Sequence, residues 1–167
     1  MQEVLVIGSL AYDSVKTPSG VAKRSLGGSA NYFSVAASLF AKVRVVGVVG
    51  TDYLPGDKEI LAKRGVDLAG MQTVDGETFH WEGTYEANLN EAVTLKTELN
   101  VFATFNPEVP EAYKTGSHVF LANIEPTLQL KVLSQIKEPK FVGMDTMNFW
   151  INSKQSDLVK VIEKVDI

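Results

Sequence analysis

A glycine pair followed by small and polar residues is the part of the sequence most clearly suited to chemistry. Gly27-Gly28-Ser29-Ala30-Asn31 precedes an apolar, small-residue run from Tyr32 to Ala41, which is typical of a buried helix. Glycines at a helix start let the backbone approach a ligand closely. The free N–H groups there, together with the Asn31 amide, offer hydrogen bonds to hydroxyl groups or to an anion. The alternative interpretation is an ordinary turn before the helix, with Ser29 or Asn31 as its cap.

Polar side chains also follow the predicted strands at the point where each strand ends. Asp13 follows the first strand, and its carboxylate could accept hydrogen bonds from two hydroxyl groups of a polyol, although Asp13 also suits a turn. Ligands of parallel sheets bind beyond the carboxyl ends of the strands, so we expect these side chains to converge on one rim. The further candidates follow two later strands and are Asn123, Glu125, Asp145 and Asn148.

Short apolar runs and helical patterns alternate along the chain and predict the elements that hold these residues. The apolar runs are Val4 to Ile7, Val43 to Val49, Val119 to Leu121 and Phe141 to Met144. Runs without alternation are typical of strands buried on both faces. The helical patterns are Ala30 to Ala41, Gly56 to Arg64, Pro126 to Ile136 and Ser156 to Lys164. This order predicts an α/β fold, a mostly parallel, Rossmann-like sheet flanked by helices.

Two segments instead alternate apolar and polar residues, which predicts half-exposed strands. One runs from Thr78 to Glu86, the other follows Asn90, and together they predict a hairpin. The residues expected on its apolar face are Phe79, Trp81, Tyr85, Val93 and Leu95. Asp13 to Leu26 could add further short strands. We therefore expect a small antiparallel sheet formed by residues 11–26 and 72–97, outside the main sheet.

Composition limits the classes of function. With 167 residues, 45% of them hydrophobic, the chain is long enough for one domain with its own core. Its net charge of -4 provides no basic surface for a nucleic acid. The absence of cysteine excludes disulfides, thiolate catalysis and sulfur-based zinc sites.

The start of the chain lacks the basic residues of a signal peptide, and no apolar run is long enough to span a membrane. We expect a soluble, cytoplasmic protein without a membrane partner.

The sequence offers no pattern for a metal or a nucleotide. His80 and His118 lack a second histidine at metal-ligand spacing, and neither has a nearby pair of acids, so both are predicted to be structural. There is no Gly-x-x-x-x-Gly-Lys phosphate loop, and no Gly-x-Gly-x-x-Gly follows the first strand. A metal site or a nucleotide site within these residues is therefore not expected.

Several of these segments together resemble the ribokinase-like (PfkB) carbohydrate kinase family. They are Gly8-Ser9, Asp13, Gly27 to Phe40 and Asp145 to Ile151, in the same order as in the family. The segment from Gly27 to Phe40 corresponds to the family's glycine-rich sugar-site signature, and the resemblance extends over essentially the whole chain. It implies a sugar kinase, which transfers the terminal phosphoryl group of ATP to a hydroxyl group of a small sugar. It also implies that the small sheet is a lid over that sugar.

The resemblance further implies site residues, cofactors and an assembly. The residues that it places around the sugar are Asp13, Gly27, Gly28 and Asn31. We also expect Asn123 and Asp145, at the ends of two later strands, to bind the sugar, although Asp145 would equally suit a cap of the turn that follows it. ATP and Mg²⁺ are the implied cofactors of the complete enzyme, with a monovalent cation as a further candidate. The implied assembly is a homodimer formed through the lid. Catalytic residues are not expected within this chain.

One part of the family pattern is missing from the sequence. The family carries its ATP site and catalytic base in a second half that ends in an Asp-Thr-x-Gly-Ala-Gly-Asp motif, which these residues lack. Val165-Asp166-Ile167 predicts the beginning of a further strand. Residues 1–167 are therefore predicted to form a partial ribokinase-like domain that is inactive alone. Two alternatives stay open: the acceptor could be a nucleoside such as adenosine, or the chain could be a non-catalytic sugar-binding module.

Overall fold

The computed structural model describes residues 2–116 and 118–167 and forms two sheets with helices packed around one of them. The strands are β1 (Glu3–Ile7), β2 (Ala11–Thr17), β3 (Gly20–Gly27), β4 (Lys42–Gly50), β5 (Asp67–Val74), β6 (His80–Tyr85), β7 (Ala92–Glu98), β8 (His118–Leu121) and β9 (Phe141–Met144). The helices are α1 (Ser29–Ala37), α2 (Pro55–Lys63), α3 (Pro126–Leu133), α4 (Asn148–Ser153) and α5 (Gln155–Ile162). Short 3-10 helices lie at Asn100–Thr104 and Glu111–Tyr113. Within the described residues, none of the helices has the length and apolar character needed to cross a membrane.

The main sheet has the strand order β5-β4-β1-β8-β9, and all of its pairs are parallel. The strand β1 lies at its centre, with β4 on one side and β8 on the other. All four predicted apolar runs form strands of this sheet. The predicted α/β class, with a parallel sheet flanked by helices, is confirmed.

Residues of the central strands alternate between two cores, one on each face of the main sheet. Leu5 and Ile7 of β1 belong to a core that also includes residues of α3 and α5. Val6, between them, belongs to the core on the other face, which includes Leu61 of α2. Burial on both faces explains why these strands are continuous apolar runs in the sequence.

The edge strand β5 was not predicted from the sequence. Among the described residues it pairs only with β4, and five of its eight residues are exposed, so it lacks a continuous apolar run. Gly70 lies so close to β4 that a Cβ there would stand 2.5 Å from the Val45 carbonyl oxygen. A strand with one neighbour and one buried glycine gives too weak a hydrophobic pattern to be recognised.

The second sheet, called the lid below, has the order β3-β2-β6-β7. The predicted β6–β7 hairpin is present and antiparallel, and β2 and β3 form a second antiparallel pair. The expectation of a wholly antiparallel sheet needs one correction, because β2 and β6 pair in parallel. Each of these two strands is the first strand of a hairpin, and the two hairpins lie side by side in the same direction.

A register shift in the β6–β7 hairpin divides the apolar face that the sequence predicts. Gly83 lies opposite Thr94, whereas Glu82 lies opposite Lys96, so Leu95 is an extra residue in β7. Val93 lies opposite Thr84 and therefore shares a face with Thr84 rather than with Trp81. The prediction that Val93 continues the Trp81 face was wrong, because strict alternation fails at a β-bulge.

The last residues of the chain run beside β9, as the sequence predicts for the beginning of a strand. The Met144 N–H donates to the Ile167 carbonyl at 2.9 Å, and the Asp166 N–H donates to the Val142 carbonyl at 2.8 Å. The Val142 N–H donates to the Asp166 carboxylate at 2.8 Å. Residues 165–167 are bonded along β9 in this way, although they do not themselves form a strand and the main sheet ends at β9.

Asp52, in the loop after β4, attaches the lid to the main sheet. Its carboxylate accepts hydrogen bonds from the Thr78 N–H and hydroxyl, both at 2.7 Å, and forms an ion pair with Arg24 of β3. Burial acts to raise the pKa of Asp52, but the hydrogen bonds from Thr78 and Arg24 outweigh it and hold the pKa below its ordinary value. The charged form of Asp52 is therefore the one that holds the lid.

Replacing Asp52 with asparagine is expected to loosen this attachment. The folded pKa lies below the unfolded one, so the stabilisation is present above about pH 4 and is lost as the pH falls through the folded pKa. At pH 7 we expect the free energy of unfolding to fall by about 1 kcal/mol and amide exchange to accelerate in β2 and β6. The exposed Glu77→Gln is the matched control. Equal exchange in Asp52→Asn and the control would contradict the attachment.

Candidate functional site

The rim at the carboxyl ends of β1, β8 and β9 is formed around the start of α1. The Ser9 carbonyl, just after β1, accepts the Ala30 N–H at 3.1 Å, and the Ser9 hydroxyl accepts the Ser29 N–H at 3.1 Å. The Ser29 hydroxyl in turn donates to the Asn123 carbonyl, just after β8, at 3.4 Å. The first turn of α1 is thus bound to the ends of two neighbouring strands.

Both glycines of the predicted pair are required by close contacts within the protein. Gly28 has φ +90, and a Cβ there would stand 2.4 Å from the Ser9 carbonyl oxygen. A Cβ on Gly27 would stand 2.3 Å from the Asp13 carboxylate. Only glycine fits at position 28, whereas a side chain at position 27 would require the Asp13 carboxylate to move.

Asp13 is a carboxylate with limited access to water. Burial raises the pKa of Asp13, and the charge of His80 and a hydrogen bond from the Gly28 N–H act in the opposite direction. A carboxylate that has lost much of its hydration gains from any further hydroxyl donor. The structure therefore places at this position a group suited to binding hydroxyls.

Asn31 lies behind the glycine pair and is only 1% exposed. Its side-chain N–H group donates to the Gly27 carbonyl, and its carbonyl oxygen accepts the Tyr53 hydroxyl at 3.3 Å. Both ends of the amide thus have partners within the protein. Sequence analysis did not single out Tyr53, because a tyrosine in a loop after a strand carries no local signal for this contact.

Gln129 of α3 joins the ends of β8 and β9. Its fully buried side-chain N–H group lies 3.1 Å from each of three carbonyl oxygens, those of Leu121, Ala122 and Asp145. A direct backbone bond from the Asp145 N–H to the Leu121 carbonyl, at 2.9 Å, completes the connection. Gln129 therefore sets the spacing between the two strand ends that carry Asn123 and Asp145.

Three side-chain oxygens at these strand ends have no hydrogen-bond partner within the described residues. They are Asn123 Oδ1, Gln129 Oε1 and Thr146 Oγ1, and all three atoms are buried. Buried polar atoms in proteins almost always have a partner, supplied by the protein, by water or by a ligand. Sequence analysis selected Asn123 but not Thr146, which looks like an ordinary turn residue. Glu125, the other candidate after β8, is instead paired with Lys154 at 3.2 Å.

The histidines make hydrogen bonds within the protein. His80 contacts the Ser14 hydroxyl at 2.9 Å and the Glu98 carboxylate at 3.2 Å. His118 contacts the Glu3 carbonyl at 3.3 Å. Among residues 2–116 and 118–167, no group of three or more histidine, aspartate or glutamate side chains could hold a metal ion.

Solved structures share this architecture, while no family model and no curated protein matches the sequence. The nucleoside kinase of Methanocaldococcus jannaschii, an archaeal member of the ribokinase family, has a TM-score of 0.73 at 17% identity, over 99% of this chain and 59% of that one. The ribokinase of Cryptococcus neoformans var. grubii serotype A, in complex with ADP, has a TM-score of 0.70 at 19% identity, over 88% and 50%. The fructokinase of Halothermothrix orenii has a TM-score of 0.69 at 15% identity, over 98% and 66%.

The chain has the ribokinase-like fold. It spans between 50% and 66% of the length of these three kinases. Within this ribokinase-like fold, the predicted site residues fall into two groups. Asp13, Gly27, Gly28 and Asn31 lie around the start of α1, whereas Asn123 and Asp145 lie at the strand ends that Gln129 joins. Ser29 links the two groups through its bond to Asn123.

Proposed function

We propose that the chain is the acceptor-binding part of an ATP-dependent kinase that phosphorylates a hydroxyl group of a small sugar. The observation that carries the proposal is the Asp13 carboxylate held against Gly27 at the carboxyl rim of a ribokinase-like fold. Asp13 would accept hydrogen bonds from two hydroxyls, and Gly27 and Gly28 would let the sugar approach the backbone closely. Asn123 and Asp145 would contact the sugar from the opposite side of the rim, and Asn31 would support the glycine pair from behind.

The contribution of these residues to phosphoryl transfer would be positioning. The reaction has little covalent chemistry for a protein to perform, so the rate depends on the orientation of the attacking hydroxyl and on the exclusion of water. Asp13 fixes the hydroxyls and the lid covers them, which protects the phosphoryl group from reaction with water. A proton-accepting base is not assigned among the described residues.

ATP and Mg²⁺ belong to the same proposal as cofactors of the complete enzyme, and a monovalent cation stays a further candidate. The part of the chain that the structure describes offers no carboxylate group suited to Mg²⁺. We place their binding residues in the remainder of a full-length kinase, since this chain spans only part of such proteins.

If this chain binds the acceptor and the remainder of the kinase binds ATP and Mg²⁺, the 167-residue chain should bind an acceptor without turning over ATP. Titration of ribose and fructose by calorimetry should give binding, whereas a coupled assay for ADP should give no acceptor-dependent signal. Acceptor-dependent ADP release by the purified chain would contradict the assignment of catalysis to a missing half. Absence of binding across a sugar and nucleoside panel would contradict the acceptor site itself. The full-length protein serves as the positive control for activity.

The exposed apolar residues of the lid bear on how the protein assembles. We propose that the lid also forms a homodimer interface, since a hairpin alone is marginally stable and Val93 and Leu95 are more than half exposed at 51% and 58%. These two residues lie on β7 at the edge of the lid sheet. We further propose a cytoplasmic location, with which the absence of cysteine is compatible.

A further inference from the structure

The peptide between Gly27 and Gly28 connects two of the predicted site residues. Its carbonyl accepts a hydrogen bond from the side-chain N–H group of Asn31, and its N–H donates to the Asp13 carboxylate. The peptide is trans, and the carbonyl and the N–H of a planar trans peptide point in opposite directions. The Asn31 amide therefore helps to set the direction in which the N–H meets Asp13.

The hydrogen-bonding partners of the Asn31 amide allow only one orientation of it. The Gly27 carbonyl can only accept, so the amide must turn its N–H group toward Gly27 and its oxygen toward the Tyr53 hydroxyl. That hydroxyl lies 3.3 Å from the amide oxygen and donates to it. Burial raises the pKa of Tyr53, so its hydroxyl keeps the proton and stays a donor at neutral pH.

The position of the Tyr53 ring is fixed by contacts between the loop after β4 and the strand β2. The ring packs against that of Tyr12, with the ring centroids 5.5 Å apart. The Tyr12 hydroxyl accepts the Leu54 N–H at 2.8 Å and donates to the Asp57 carboxylate at 2.7 Å. Tyr12 directly precedes Asp13, so the loop that carries Tyr53 is attached to the strand that carries the candidate hydroxyl-binding group.

We propose that Tyr53 is a positioning residue of the acceptor site. Its hydroxyl fixes the Asn31 amide, the amide fixes the peptide between the two glycines, and the peptide presents its N–H to Asp13. The N–H holds the Asp13 carboxylate in one direction, and the hydroxyls of the acceptor bind to the lone pairs that it leaves free. The proposal rests on the proposed function, because it takes Asp13 as the hydroxyl-binding group.

Tyr53→Phe removes this hydroxyl and keeps the ring against Tyr12. The Asn31 oxygen then loses its donor in the interior, which is costly, so we expect the amide to turn toward another donor and release Gly27. Calorimetry with ribose or fructose, whichever the parent chain binds more tightly, should show an affinity about threefold to tenfold lower. Tyr113→Phe is the matched control and should leave the affinity unchanged, because Tyr113 is a buried tyrosine in the core on the other face of the main sheet.

The pKa of Asp13 provides a measurement that a purely structural role of Tyr53 would not change. The hydrogen bond from the Gly28 N–H acts to lower this pKa, so the pKa should rise in Tyr53→Phe. Titration of the Asp13 carboxyl carbon by NMR measures it without any ligand. Adding Tyr53→Phe to Asn31→Ala should change neither this pKa nor the sugar affinity any further, because Tyr53 acts through Asn31.

The outcomes separate this inference from the proposed function. An unchanged Asp13 pKa in Tyr53→Phe, an unchanged affinity for a sugar that the parent chain binds, or an equal loss in Tyr113→Phe would overturn the positioning role and leave the sugar-kinase proposal standing. A further loss in the double variant would also overturn it. Binding of neither sugar by the parent chain would overturn both. If circular dichroism shows that Asn31→Ala does not fold, Tyr53→Phe and its control decide the question by themselves.

Discussion

Replacing Asp13 with asparagine is expected to raise the thermal unfolding midpoint at neutral pH and to weaken acceptor binding. Burial raises the pKa of Asp13, so the folded protein holds its proton more tightly than the unfolded chain does. Stability therefore falls as the pH rises through the interval from the unfolded pKa up to the folded one, and the charge destabilises the fold above it. Asparagine removes this cost but loses a charged acceptor, which weakens acceptor binding by about 2 kcal/mol.

The pH dependence distinguishes this effect from a general change in stability. The gain in unfolding midpoint should be largest at neutral pH and should disappear below about pH 4, where aspartate is protonated in both states. The exposed Asp75→Asn is the matched control and should leave both quantities unchanged. A lower midpoint for Asp13→Asn at pH 7, or unchanged acceptor affinity, would contradict the proposed hydroxyl-binding role of Asp13.

The largest loss of stability is expected from replacing Gln129 with leucine. Gln129 is fully buried, and the variant removes the donor shared by three carbonyl oxygens at the ends of β8 and β9. Carbonyl groups left without this donor in the interior are costly, so we expect the free energy of unfolding to fall by about 2–4 kcal/mol. Urea denaturation of the variant and the parent chain measures this loss.

Amide exchange at the rim tells whether Gln129 positions the strand ends or only fills space. The Asp145 amide, bonded to the Leu121 carbonyl, should exchange faster in Gln129→Leu than in the parent chain. Gln135→Leu is the matched control, because Gln135 bonds the Pro107 carbonyl and lies away from the strand ends. Unchanged Asp145 exchange in Gln129→Leu would show that the rim keeps its geometry without the amide.

Buried strands were predictable from sequence because burial leaves a local pattern. Val4 to Ile7 and Val43 to Val49 are apolar without interruption, since both faces of β1 and β4 are covered. The strand β5 was not predicted, because an edge strand needs few apolar residues. The bulge at Leu95 was not predicted either, because the local sequence of β7 does not encode its register with β6.

The candidate site, like the fold, was only partly predictable from the sequence. Asp13 and the glycine pair could be selected because the ends of parallel strands and the starts of helices are places where ligands bind. Gln129 and Tyr53 could not be selected, because their partners lie on other elements and a glutamine within a helix normally faces solvent. The role of Asn31 as a hydroxyl contact stays a prediction, and its bonds to Gly27 and Tyr53 could not be predicted from the local motif.

A map of amide chemical shifts of the 167-residue chain, titrated with adenosine and with ribose, tests the acceptor-binding account most directly. The account predicts that the perturbed amides cluster at Asp13, Gly27, Gly28, Asn123 and Asp145. These residues come from four separate segments of the sequence that meet at the rim of the fold, so their joint response would be specific. Perturbations confined to other surfaces, or none at saturating ligand, would contradict the account.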